Sequence, residues 1–301
     1  MERAAVTLGH PWFHFLASSC YCPVMAILPF SELHNAMEAA MRVARTAVAC
    51  LASLLYGSSI ELGESPQRQA ILTSARVLIP TAANNPGQFG AVFRTKVSIV
   101  NVTNRTYTIY ATLYRNGGGT IVRQITMGSR QARNYDNFLQ DVFSYSGAAG
   151  IELDAVLVPP GGSDLNQFAV FAEVYTDSAN GVYKTVVNIS NSSDGLLLTD
   201  PSITPGVSVD GDSRTNIGCL NTSATQAIVN VDVYSSTGGL LTTYFLTVPA
   251  SGWAQGGVIQ TVSGGYLVWR LQSGVSPNCF AVVVDNRSND GSFIEPSRFE
   301  N

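Results

Sequence analysis

The sequence predicts an all-β protein in which a signal peptide is followed by two tandem copies of one antiparallel β-sandwich domain. Three observations lead to this fold class: a composition rich in strand and turn residues, a segment that recurs about 120 positions later, and a shared alternation of apolar side chains. A chain of 301 residues is long enough for two domains of ordinary size, each with its own core.

The composition narrows the classes of partner. Charged residues make up 13% of the chain, which is about half of the usual share, and the net charge is −4. No basic run and no interleaving of basic and aromatic residues occurs along the sequence. Because nucleic-acid binding depends on clustered positive charge, we expect no nucleic-acid partner.

Residues 1–60 are predicted to be an N-terminal extension and signal peptide, with the true start near Met41. Arg42 and Arg45 precede the apolar stretch 46–56, which is the form of a secretory signal and is too short to span a bilayer. An internal amphipathic helix is the alternative interpretation of this stretch. Export would make the mature chain a secreted, extracellular protein with no membrane span.

The repeat is clearest in its first half. The segment Arg94–Asn101 recurs as Arg214–Asn221, and Ile109–Tyr114 recurs as Val229–Tyr234 at the same spacing. Apolar residues fall on every second position of the latter pair, in the same phase in both copies. This alternation predicts strands that bury the same face in each copy.

The second half of the repeat returns at a spacing about ten residues shorter. Ala169–Gly181 matches Cys279–Gly291, and both segments end in Asn-Gly or Asp-Gly, dipeptides that favour a tight hairpin. A polar connector at 188–194 is typical of a linker, so domain one is predicted to cover 65–190 and domain two 195–298. One helical turn is expected over Asp136–Phe143, with Asp136 as its N-cap.

Several strand-end and turn motifs carry a family resemblance. Leu78-Ile-Pro80, Phe93-Arg-Thr95, Pro249-Ala-Ser-Gly-Trp253 and Asp285–Ile294 resemble tandem Ig-like β-sandwich modules of secreted, largely uncharacterised bacterial proteins. The resemblance covers roughly residues 75–296 and implies a fold and an extracellular setting, but no activity. Copy one departs from it, because Arg130–Asn134 stand where copy two has the Trp253 turn.

The predicted mature chain contains few of the side chains that commonly act in catalysis. All three histidines precede residue 60, and Lys96 and Lys184 are the only lysines. Catalytic triads therefore have no base, and both lysines are better explained as solvated edge-strand residues. Among carboxylates, Glu152 and Asp154 alternate with apolar residues as the solvent face of a strand. We expect no catalytic residue and no bound cofactor.

Acidic loop residues raise the question of a metal. Asp210, Asp212, Asp285 and Asp290 offer oxygen ligands of the kind that Ca²⁺ prefers. Copy one has no acidic residues opposite Asp210 and Asp212, and Asp290 is explained by the turn before Gly291. We therefore expect no metal site.

Three residues of copy two have no counterpart in copy one. Cys219 and Cys279 replace Ile99 and Ala169, and they form either a disulfide or two separate buried thiols. The alternation of the two strands places the cysteines on opposite sides of a sheet, which favours the thiols. Trp253 follows a turn and is a candidate aromatic contact for a ligand, with packing beneath a loop as the alternative.

These observations favour a secreted, non-enzymatic structural or interaction protein, such as an adhesin-like or matrix module. One alternative is an extracellular carbohydrate-binding protein that uses Trp253. Another is a filament subunit in which the 60–75 segment adds a strand to a neighbouring molecule. The partner is an extracellular protein or glycan of unknown identity, and self-association is open.

Overall fold

The computed structural model describes residues 73–74, 76–87, 90–157, 168–178 and 181–298. Antiparallel strands make up most of this part of the chain, which confirms the all-β prediction. The described residues belong to one compact unit. The predicted extension and signal peptide at 1–60 lie outside the described residues, so they stay predictions.

The first strand set forms one sheet with the order β1-β8-β3-β2-β7-β4-β5, to which β6 adds beside β3 and β9 beside β8. Within the described residues its members are β1 (Thr73–Ser74), β2 (Arg76–Pro86), β3 (Val92–Asn101), β4 (Tyr107–Arg115), β5 (Thr120–Met127), β6 (Ala132–Tyr135), β7 (Gly147–Leu157), β8 (Phe168–Ser178) and β9 (Gly181–Val187). A short helix of six residues, α1 (Phe138–Phe143), follows β6.

The second strand set forms two sheets, one with the order β13-β12-β15-β10-β18 and one with the order β14-β11-β16-β17. Its members in the described part of the chain are β10 (Ser202–Val209), β11 (Ser213–Asn221), β12 (Ala227–Tyr234), β13 (Leu240–Val248), β14 (Gly252–Gly257), β15 (Val262–Ser273), β16 (Asn278–Asp285), β17 (Gly291–Ile294) and β18 (Ser297–Arg298). A 3-10 turn, Ser192–Asp194, lies between the two strand sets.

The predicted alternation is confirmed in β4 and β12. The apolar positions of both strands are fully buried: Ile109, Ala111, Leu113, Val229, Val231 and Val233. Each strand packs them into the core of its own strand set. Trp269 of β15, which the same alternation predicts to be a core residue, is also fully buried.

Asn101 and Asn221 close the ends of β3 and β11 in the same way. Each amide Nδ2 donates to two carbonyls, those of Arg105 and Gly128 in copy one and those of Thr225 and Pro249 in copy two. Each Oδ1 accepts from a backbone N–H two residues later. Both side chains are buried, so these bonds satisfy the polar groups of the strand end where water does not reach.

Helix α1 begins one residue later than predicted. Asn137 is its N-cap, and the Asn137 side chain accepts a hydrogen bond from the backbone N–H of Gln140 at 3.4 Å. The prediction of Asp136 as the cap is wrong, because Asp136 points into solvent, where its carboxylate lies 4.0 Å from Lys96 Nζ. Phe138, Leu139 and Phe143 of the helix complete the core of the first strand set.

Cys219 and Cys279 are directly opposite each other in β11 and β16, and a disulfide joins them. Both cysteines lie in the core of the second strand set. The expectation that they face opposite sides of a sheet is wrong, because the two turns that follow β8 and β16 differ in length. Strand β8 continues to Ser178, which pairs with Gly181, whereas the pairing of β16 with β17 ends at Val284 and Gly291.

An alignment of the two copies on these turns therefore places β16 one residue out of register with β8. In the β3–β8 pair Ile99 faces Val170, and in the β11–β16 pair Cys219 faces Cys279. Cys279 thus corresponds to the buried Val170 and not to Ala169. In the longer turn of copy two the positive φ belongs to Asn289, at 62°, and not to the Asp290-Gly291 pair that was expected to supply it.

Candidate ligand-binding cleft between the two strand sets

An apolar cluster joins the two strand sets. Leu78 and Tyr114 of the first set pack there with Leu220, Trp253 and Phe280 of the second, and we call these five residues the joint cluster. All five are buried. The cluster lies on the outer face of the β14-β11-β16-β17 sheet, since the alternate residues of β11, Ile217 and Cys219, point into that set's own core.

Close approach at the joint cluster depends on Gly150 of β7. A Cβ atom at this position would lie 2.6 Å from Leu220 Cδ1, closer than a real Cβ contact. The absence of a side chain therefore admits Leu220 against the backbone of the first set.

Trp253 lies at the centre of this contact. The side chain is 2% exposed, and its Nε1–H donates to the Pro80 carbonyl at 2.9 Å. That carbonyl is free because β2 shifts its register on β7 between Ile79 and Ala82. The interpretation of Trp253 as an aromatic ligand contact is wrong, since a ring buried between two strand sets presents no face to a ligand.

The predicted linker is also held by both strand sets. Ser190 exchanges two backbone hydrogen bonds with Leu78 of β2, at 2.8 and 3.0 Å. The Asn278 amide of β16 donates to the carbonyl of Asn191 at 3.0 Å. The connector is therefore part of the contact between the strand sets, although its composition is typical of a free linker.

Glu152 does not lie on a solvent face as predicted. Its carboxylate is buried beside the joint cluster, where it accepts a hydrogen bond from the Tyr114 hydroxyl and pairs with the Arg76 guanidinium. Burial, with a contribution from the charge of Glu152, raises the pKa of neighbouring Asp154. The buried carboxylate of Glu152 is thus accounted for by its bonds to Tyr114 and Arg76.

Beside the joint cluster the two strand sets separate into a cleft of about 280 Å³. Residues of β2, β3, β7, β8 and β9 line one wall, and residues of β11, β14, β16, β17 and the turn before β17 line the other. The polar lining groups are Thr81, Asn85, Tyr175, Thr176, Tyr183, Thr185, Arg214, Asn216, Gln255 and Asn289, and Phe93, Val174, Val282, Val284 and Phe293 are among the apolar ones. This volume is near the lower end of the range, about 300–1,000 Å³, of small-molecule sites.

Two buried polar atoms at the cleft have no hydrogen-bond partner. They are the Thr176 hydroxyl, on a residue that is 1% exposed, and Oδ1 of Asn85. Both residues pair with Phe93 of β3, so they lie on the two strands that flank β3. A buried hydroxyl or carbonyl without a partner costs about 1–3 kcal/mol, and native proteins leave few such groups unsatisfied.

Arg214 supplies positive charge to the cleft. Its guanidinium donates to Oδ1 of Asn286 and to Oδ1 of Asn289, both at 2.9 Å. Burial lowers the pKa of Arg214 from its ordinary value, and nearby Asp285 offsets this in part. Among the residues that the structure describes, no carboxylate lies within ion-pair distance of this guanidinium.

The acidic loop residues hold turns together. Asp210 Oδ1 accepts from the backbone N–H groups of Asp212 and Ser213, and Asp285 Oδ1 accepts from those of Arg287 and Ser288. Asp212 pairs with the Arg287 side chain. The described ranges contain no group of three or more side chains that could hold a metal ion.

The two lysines occupy half-exposed positions in ion pairs. Lys184 Nζ lies 3.0 Å from Glu173 Oε1, across the β8–β9 pairing, and Lys96 faces Asp136. Neither lysine lines the cleft. For residues 73–298, gaps excepted, no helix is long and apolar enough to cross a membrane.

Sequence reasoning did not identify the cleft. Its walls come from faces of β2, β8, β11 and β16 that an isolated sandwich domain would expose to water, and their polar residues have the pattern of ordinary solvated strands. The one available signal was Arg214, which recurs at the repeat position of Arg94 without an acidic residue in the matching position of its partner strand.

No protein-family model and no curated protein matches the chain. Among solved structures it is similar, at 10% identity and a TM-score of 0.13, to a beta-glucuronidase of Bifidobacterium dentium complexed with coumarin-3-O-glucuronide; 75% of this chain and 48% of that chain are covered. For a calcium-binding mutant of beta-glucuronidase 2 of Bacteroides uniformis the identity is 12%, the TM-score 0.12, and the coverage 73% and 26%.

The chain thus spans about half of one of these proteins and about a quarter of the other. Likeness at such TM-scores carries no argument about this chain.

Proposed function

We propose that this chain is a secreted, non-enzymatic interaction protein, built from two Ig-like β-sandwich modules, that binds a small polar ligand in the cleft between its strand sets. The observation that carries the proposal is the pair of buried, unpartnered polar atoms at the cleft, Thr176 Oγ1 and Asn85 Oδ1. A bound ligand with hydroxyl groups would satisfy both, because a hydroxyl donates and accepts.

The chemistry of the lining supports binding. Hydroxyl, amide, guanidinium and aromatic groups surround the cleft, and these groups orient a ligand by hydrogen bonds and stacking. General acid–base catalysis near neutral pH instead uses groups such as imidazole and carboxylate, and the described residues that line the cleft include neither. Among interaction roles, such a lining favours carbohydrate binding, with the cleft in place of Trp253 as the site.

Export is supported by two features. The segment that begins near Met41 has the form of a secretory signal. The Cys219–Cys279 disulfide belongs to the kind of bond that persists in oxidising compartments.

The filament alternative gains no support from the described part of the 60–75 segment. Thr73 and Ser74 form β1, which pairs with Ala169 and Phe168 of the same chain. Residues 60–72 lie outside the described residues.

A glycan array tests the proposal through two isosteric variants of buried threonines. Thr176→Val removes the unpartnered hydroxyl from the cleft. The control, Thr204→Val, removes a hydroxyl that accepts from Trp269 Nε1 at 2.9 Å inside the second strand set. We expect the wild-type chain and Thr204→Val to bind the same glycans and Thr176→Val to lose them. A silent array, or equal binding by all three proteins, would contradict the proposal.

A further inference from the structure

Arg94 and Arg214 occupy the same repeat position, but each has a different kind of partner. In copy one Arg94 Nη1 donates to Asp177 Oδ2 at 3.0 Å, which is an ion pair. In copy two Arg214 Nη1 donates to Asn286 Oδ1 at 2.9 Å. The strand registers make Asn286 the equivalent of Asp177, since Arg94 faces Tyr175 and Arg214 faces Val284, each two residues before the respective partner.

The exchange of a carboxylate for an amide leaves Arg214 without the ion pair that Arg94 has, among the residues that the structure describes. Asn286 and Asn289 fix the guanidinium by two neutral acceptors, one on each terminal nitrogen. Each of these nitrogens keeps a second N–H, and the Nε–H is a further donor. Arg214 is also the one charged residue among those that line the cleft in the described structure.

We infer that the cleft takes a hydroxylated ligand with a single negative charge, a sugar acid or a sulfated sugar, whose anionic group binds Arg214. The inference rests on the proposed function and names the class of ligand. One guanidinium without an ion pair lines the cleft and matches one negative charge, and guanidinium groups bind planar or tetrahedral oxyanions by paired N–H donors. The hydroxyl groups of the ligand would face Thr176 and Asn85.

The surroundings of Arg214 differ from those of an ordinary surface arginine. The Thr176 hydroxyl is buried, lines the same cleft and lacks a partner, so the cleft offers an anion contact and an unsatisfied hydrogen-bonding group together. If Arg214 only held the turn at Asn289, a carboxylate at position 286, like that of Asp177 in copy one, would serve as well as the amide.

Calorimetric titration of the whole chain tests the inference with three probes: D-galacturonate, its neutral methyl ester, and D-galactose 6-sulfate. The key variant is Asn286→Asp, which rebuilds the copy-one ion pair and supplies Arg214 with an internal carboxylate. Its matched control is Asp177→Asn, the reverse exchange in copy one. Arg214→Gln removes the charge itself, and melting curves check that each variant folds.

We expect at least one anionic probe to bind the wild-type chain about tenfold to a hundredfold more tightly than the neutral ester. Asn286→Asp and Arg214→Gln should each remove most of that preference, and Asp177→Asn should keep it. Preference for galacturonate would assign a carboxylate ligand, and preference for the 6-sulfate a sulfated one.

Two results would overturn the inference in different ways. Equal binding of the neutral ester and the acids, unchanged by Asn286→Asp, would contradict the anionic ligand while leaving the cleft as a binding site. No binding of any probe by the wild-type chain would contradict both the inference and the proposed function.

Discussion

Buried polar side chains of this protein fall into two kinds, those with every bond made and those without a partner. Asn101 and Asn221 are of the first kind, and each ties three backbone groups at the end of a strand. Thr176, Asn85 and Asn230 are of the second kind, since each has one buried atom without a partner, and of these Thr176 and Asn85 line the cleft. The fully bonded side chains hold the fold, and the two unpartnered ones at the cleft are those that we propose to bind a ligand.

Substitution of a fully bonded asparagine should be costly. Asn221→Ala removes the bonds that a buried side chain makes to the Thr225 and Pro249 carbonyls and to the Ser223 N–H. We expect a loss of about 1–3 kcal/mol in the free energy of unfolding, measured by urea denaturation. An exposed control, Asn134→Ala in β6, should have a smaller effect, and equal effects of the two variants would contradict the strand-end role.

Asp285 predicts a pH dependence of stability. Hydrogen bonds from the backbone and side chain of Ser288 and from the backbone of Arg287 lower its pKa. The depressed pKa means that its contribution to stability is complete above the unfolded value, about 3.9, and is lost as pH falls through the folded value. Asp285→Asn should therefore narrow the stability difference between pH 7 and pH 3, measured by thermal melting; an unchanged difference would argue against it.

At the residue scale, the sequence predicted the burial of side chains that depends on their own strand. The burial of Trp269 follows from the alternation of apolar residues along its strand, and the structure confirms it. Thr176 and Arg214 were not predicted as site residues, because the cleft depends on contacts between residues more than 35 positions apart. Such a placement is invisible to local patterns.

Strands β11 and β16 are the elements that the disulfide joins. The bond links residues 60 positions apart in sequence and lies within the core of the second strand set. Replacing both cysteines by alanine should lower the free energy of unfolding by about 2–4 kcal/mol, chiefly because the unfolded chain loses a constraint. Guanidinium denaturation measures the loss, and alkylation with and without reductant shows by mass whether the thiols are bonded. Two alkylated cysteines without reductant would contradict the bond.

The register of β16 shows where prediction from the repeat fails. Both copies end this strand in a turn that contains Asn or Asp before Gly, yet one turn closes at Ser178 and Gly181 and the other at Val284 and Gly291. A shift of one residue exchanges the two faces of a strand, so an alignment based on the turns assigns the wrong face. Pairing partners across the sheet are required to correct it.

At the scale of the whole molecule, the all-β prediction is confirmed, while the contact between the strand sets was not foreseen. Trp253 illustrates the reason: a tryptophan next to a turn is compatible with exposure, and its burial depends on Leu78 and Pro80 of the other strand set. Polar residues of the connector, such as Ser190, likewise form bonds that composition does not indicate. The cleft exists because this contact fixes its two walls.

The joint cluster should couple the unfolding of the two strand sets. Trp253→Ala removes its largest ring and the hydrogen bond to Pro80, and we expect a loss of about 3–5 kcal/mol together with a broadened or divided calorimetric transition. Trp253→Phe, which keeps a ring but not the Nε1–H, should give an intermediate loss. A single transition at the wild-type midpoint for Trp253→Ala would contradict the coupling.

The central claim is that the cleft holds a buried hydroxyl without a partner until a ligand binds, and the free energy of unfolding of Thr176→Val measures this most directly. In the absence of ligand we predict that the variant is more stable than the wild-type chain by about 1 kcal/mol, because valine removes an unsatisfied polar group at equal volume. Thr204→Val, which removes a satisfied hydroxyl, should be less stable than the wild-type chain. Destabilisation of Thr176→Val to the same extent as Thr204→Val would show that the Thr176 hydroxyl is already bonded within the protein, and would contradict the account.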